Sequence, residues 1–129
     1  MNKFKIYDGE VEVINEVAKK INKSCVAAGW YTDLGSGKPI ERNFGEVIAL
    51  MHSELSEALE GWRKDLMDDH IPNRKNMEVE LADCVIRIFD TAHAEGLDIG
   101  GAMAEKFAYN QTRADHKIEN RKRKGGKRI

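Results

Sequence analysis

The chain has 129 residues, 41% hydrophobic and 33% charged, with 21 Lys and Arg against 22 Asp and Glu. That length fits one domain with one sizeable core. No apolar run approaches the roughly 18 residues that a membrane-spanning helix needs, so no membrane partner and a cytoplasmic location are expected.

Aromatic residues make up only 7% and prolines number two, which favours helices over strands. Cys25 and Cys84 fall at apolar positions of predicted helices and are expected to be buried free thiols. The net charge of −1 conceals an asymmetry. From Phe44 to Glu95 there are twelve acidic and five basic side chains, and from Lys106 onward nine basic and two acidic. An acidic centre beside a basic C-terminal portion suits metal on one side and phosphate on the other.

In chain order, the first nine residues show no period. Ile14, Val17, Ala18, Ile21, Cys25 and Ala28 then recur at three and four, predicting an amphipathic helix over 11–28 that stops at Gly29. Residues 30–42 hold Gly35, Gly37 and Pro39 and read as a loop. Its Gly-Ser-Gly-Lys string has the wrong spacing for a phosphate-binding loop, and no strand precedes it. Asn43 with Glu46 predicts the capped start of a second helix. The apolar stripe of that helix is Phe44, Val47, Ile48, Met51, Leu55, Ala58, Leu59 and Trp62, with Glu54 at its edge and Glu57 farther round. At the centre of this stripe Trp62 is expected to pack in the core.

Residues 65–75 read as a polar surface loop. Asn76 is the expected cap of a third helix ending near Glu95 before Gly96. Asp98 is a candidate cap for a fourth, whose first turn Gly100 and Gly101 weaken by roughly 1 kcal/mol each relative to Ala. On that helix Lys106, Asn110 and Arg113 stand at i, i+4 and i+7, two cations and an amide on one stripe suited to phosphate and sugar. The final nine residues include six Lys or Arg and two Gly and are expected to form a basic, disordered tail, residues 121–129. The chain therefore reads as all-α, a bundle of four to five helices.

Two of these helices each carry an acid-x-x-acid pair, Glu54 with Glu57 and Glu80 with Asp83. Residues three apart lie about 60° apart around a helix, so each pair shares a face. Four carboxylates brought together by helix packing repel one another unless a hard divalent cation sits among them. Without histidine or thiolate at ligand spacing, Mg²⁺ or Mn²⁺ is indicated rather than Zn²⁺. Metal-assisted hydrolysis of a phosphoanhydride follows as the expected chemistry. Arg87, four residues after Asp83, either pairs with it or meets substrate phosphate. A di-iron bundle needs two Glu-x-x-His pairs, and only Asp90-x-x-His93 comes near. A non-catalytic helical interaction module and a nucleic-acid accessory protein are the other classes. Nucleic acid is the less favoured because the basic residues lack interleaved aromatics.

The succession Glu54-x-x-Glu57, Glu80-x-x-Asp83 and Lys106-x-x-x-Asn110-x-x-Arg113 resembles the MazG-like all-α nucleoside triphosphate pyrophosphohydrolases over about residues 43–113. The resemblance implies a helical domain over residues 1–120 and an oligomer, a homodimer or homotetramer with sites completed across chains. It implies that Glu54, Glu57, Glu80 and Asp83 hold Mg²⁺ and that Lys106 and Asn110 contact the triphosphate or sugar of a nucleoside triphosphate cleaved between its α and β phosphates. It also makes Trp30 a candidate for stacking on the base. Some members carry a further acid directly before the first metal-binding Glu. Here that position is Ser53, so the water-activating group is open between Glu57 and metal-bound hydroxide.

Overall fold

The computed structural model describes residues 4–129 as five α-helices and one 3₁₀ turn, with no strand among them. The helices are α1, Asp8–Ala27; α2, Phe44–Arg63; α3, Asn76–Ala94; α4, Ile99–Thr112; and α5, Ile118–Arg121. The chain is thus all-α, as its composition and periodicity imply. Its helix starts are capped where short polar side chains stand. Asn43 accepts the N–H groups of Gly45 and Glu46, and Asp98 accepts that of Gly101. One expected cap is displaced: α3 is preceded by Lys75, and Asn76 is its first helical residue. The Asn76 amide instead donates to Glu80 Oε1 at 3.0 Å.

The residues form two compact units, one made of Val17–Leu97 and the other of the stretch up to Glu16 with Asp98–Ile129. In the first, α2 and α3 run antiparallel, since Cys84 Sγ donates to the Met51 carbonyl while Asn76 lies against Gly61. The buried residues of α2 are Val47, Glu54, Ala58 and Gly61, spaced seven, four and three apart on one stripe. On α3 they are Cys84, Thr91 and Ala92. The buried apolar set of the whole described chain is small in every sense: Ala18, Val47, Ala58, Cys84 and Ala92. Small side chains let α2 and α3 approach closely, but they leave the large ones outside. Leu59 is 57% exposed and Trp62 65%, and Leu55, Leu81 and Val85 are also exposed. The expected core position of Trp62 is therefore wrong. The α3-facing stripe is turned about 70° from the centre of the apolar stripe read in the sequence.

The two cysteines are free, with Cys84 buried and Cys25 only half-buried. In the second unit, Asn15 ties α1 to the start of α4, donating to Asp98 Oδ1 at 2.7 Å and accepting from Gly100 N at 2.9 Å. A Cβ on Gly100 would lie 2.6 Å from the Val11 carbonyl, so the glycine that weakens the helix is what permits the contact. α4 ends at Thr112, and Arg113 is extended at ψ 132°. The expected single-helix stripe of Lys106, Asn110 and Arg113 thus loses its last member. The guanidinium of Arg121, the last residue of α5, donates to the carbonyls of Lys127 and Arg128.

Candidate metal centre

Glu54, at the edge of the apolar stripe, occupies a core position of α2, 7% exposed, and faces α3. A buried carboxylate is costly unless paired. Its partner is Arg87 of α3, whose Nε lies 2.6 Å from Glu54 Oε1. The ion pair therefore crosses between helices, and Arg87 acts on Asp83 only through its field, lowering that carboxyl.

One carboxylate oxygen from each of Glu54, Glu57 and Glu80 lies within 4.8 Å of the others. Glu54 is buried, Glu80 half-buried and Glu57 exposed, so the group opens to solvent on the Glu57 side. Two oxygens on one octahedral Mg²⁺ stand about 3 Å apart when adjacent and about 4 Å when opposite. A movement on the order of an ångström closes this set around one ion. The donors are all carboxylate oxygens, which fits Mg²⁺ or Mn²⁺ and disfavours Zn²⁺.

The electrostatic consequence of this grouping falls on Glu80. Burial pushes the Glu80 carboxyl up to about 7, and hydrogen bonding to Glu54 and Glu57, with the charge of Glu57, pushes the same way. The Asn76 amide alone opposes them. A divalent ion bound here would displace the proton that this raised Glu80 carboxyl otherwise retains near neutral pH.

Asp83, the fourth expected acid, is not among the three oxygens that converge. Burial raises its carboxyl first, and the charges of Glu54 and Asp68 add to that. Asp68 had no signal in a polar loop, yet it is 6% exposed. It accepts the His70 and Ile71 N–H groups at 2.9 and 2.7 Å, and the Ile71 bond is the main cause of its lowered carboxyl. An Asp two residues before a backbone donor in a turn with Pro72 is the pattern that marks such an Asx turn.

The remaining expected residues divide as follows. Trp30 is 75% exposed, and its neighbour Tyr31 is the aromatic held in a network. The Tyr31 hydroxyl donates to Asp90 Oδ2 at 2.8 Å, Asn22 Nδ2 donates to Asp90 Oδ1 at 2.9 Å, and Arg42 Nη1 donates to the Tyr31 oxygen at 2.7 Å. Both oxygens of Asp90 are thus engaged, which removes the Asp90–His93 pair as a metal motif. Asn22, Tyr31, Arg42 and Phe44 line a cavity of about 600 Å³. In the other unit, the Lys106 ammonium sits 4.9 Å from the centre of the Tyr109 ring. Asn110 Oδ1 is buried without a hydrogen-bond partner. Arg113 grips Asp115 with two bonds, at 2.9 and 2.7 Å.

No helix among the described residues is long and apolar enough to cross a membrane. No family model, curated protein or solved structure matches the chain.

Proposed function

We propose that the chain is a Mg²⁺-dependent, MazG-like nucleotide pyrophosphohydrolase that cleaves a nucleoside triphosphate between its α and β phosphates. The observation that carries this reading is the convergence of Glu54, Glu57 and Glu80 oxygens within 4.8 Å on two facing helices. A divalent ion bound there supplies Lewis-acid polarisation of a phosphoryl oxygen and a lowered pKa for the attacking water.

The chain's own residues do the rest. Arg87 neutralises Glu54 and so limits the negative charge that an incoming polyphosphate meets. Glu57 is the one exposed member of the three and is the group placed to accept the proton of the attacking water. Trp30 offers an exposed ring to the base.

The same reading includes a cytoplasmic homodimer or homotetramer. Its support is the exposure of large apolar side chains on α2 and α3, beyond what scattered surface residues account for. That exposure also favours the competing reading, a non-catalytic helical interaction module. Incubating canonical nucleoside triphosphates with the chain separates the two. Release of pyrophosphate and monophosphate with Mg²⁺, absent with chelator, is expected. Absence of turnover across the panel with Mg²⁺ and Mn²⁺ would leave the module.

A further inference from the structure

Asn76 begins α3 but caps nothing, and its half-buried side chain lies instead between Glu80 and Gly61. Its Nδ2 donates to Glu80 Oε1 at 3.0 Å. Its Oδ1 occupies the place where a Cβ on Gly61 of α2 would stand, so any side chain at position 61 would displace the amide. Its amide also contributes to holding the Asp68 carboxyl low, alongside the Ile71 and His70 N–H groups. Its own backbone N–H is tied to the Leu66 carbonyl at 3.0 Å, which fixes where the loop delivers it. An ordinary i, i+4 pair on a helix surface contributes a few tenths of a kcal/mol and requires no glycine on a neighbouring helix. This pair has one.

We propose that Asn76 is a positioning residue for Glu80, held in place by its fit against Gly61, and that it sets where the Glu80 carboxylate presents itself to a divalent cation. The inference rests on the metal-centre reading above. Asn76 donates one N–H to Glu80 Oε1, which restricts the rotamer of that carboxylate. Glu54 has Arg87 for the same purpose, and Glu57 faces solvent. Of the three acids, Glu80 is thus the one oriented by a neutral amide.

The test is manganese binding to the full chain, without nucleotide, followed by electron paramagnetic resonance. Partners that orient metal ligands typically contribute 10- to 100-fold in affinity, so Asn76→Ala is expected to weaken Mn²⁺ binding at least about tenfold with helical circular dichroism unchanged. Gly61→Ala disturbs the same amide from the other side and is expected to weaken binding likewise. It serves as the readout where Asn76→Ala does not fold. Because both changes act through one group, Gly61→Ala on top of Asn76→Ala is expected to add nothing further. A folded Asn76→Ala chain with the parent's affinity overturns the proposal, and so does full additivity of the two losses. A parent chain that binds no Mn²⁺ overturns the metal centre itself, a separate failure.

Discussion

Glu80→Ala is expected to lower Mg²⁺-dependent pyrophosphate release by about a thousandfold or more, because losing a metal ligand removes several kcal/mol of transition-state stabilisation. The fold is expected to survive. Glu80 is half-buried and its ionised form is opposed by burial and by Glu54 and Glu57, so its removal relieves repulsion rather than creating it. Thermal denaturation in chelator is therefore expected to match or exceed the parent's. Glu54→Ala should differ on this second measurement. Glu54 is buried and paired with Arg87, and truncating it removes that ion pair and leaves a void in the α2–α3 face, while the exposed Arg87 side chain keeps its contact with water. A lower melting temperature accompanies the lost turnover in that variant. Turnover retained by Glu80→Ala would remove Glu80 from the centre.

The second large effect concerns association. Leu59 and Trp62 stand exposed on the same side of α2, while the buried apolar set consists of three alanines, one valine and one cysteine. Burying a Leu side chain contributes about 1.5–3 kcal/mol, and a twofold interface counts each residue twice. Leu59→Glu replaces that gain with a buried charge on both protomers. The parent is expected to sediment as a dimer or tetramer and the variant as a helical monomer at the same concentration. A monomeric parent at tens of micromolar, or an unchanged variant, would show that this face is not the interface.

Much of this arrangement was legible in the chain itself. The helix positions followed from apolar spacing and from Asn43, Asp98, Gly29 and Gly96, because caps and stops are local physics. The pairing of Glu54, Glu57 and Glu80 followed from three-residue spacing on neighbouring helices. What spacing could not give was the rotation of each helix about its axis. Apolar residues cover nearly half of α2, and the choice of which part faces α3 falls to Ala58 and Gly61, whose small size permits contact. That choice moved Glu54 into the interface, brought Arg87 to it, and left Trp62 outside. Asp68 and Asn76 were illegible for a different reason. Their roles depend on a loop whose path is set by the Met67–Lys75 bridge and the Leu66–Asn76 hydrogen bond, and neither has a composition signal. Arg113 falls off the helical stripe because α4 ends at Thr112 and Arg113 is extended, an end that a helical wheel does not show.

Calorimetric titration of the nucleotide-free chain with Mg²⁺ tests the centre most directly. Binding is expected at about pH 8 and is expected to weaken toward about pH 6, since Glu80, raised to about 7, must release its proton to admit the ion. The doubly substituted Glu54→Gln, Glu57→Gln chain should show no binding heat. A parent that takes up no Mg²⁺ across this range, or a substituted chain that binds as the parent does, would contradict a cation held between α2 and α3.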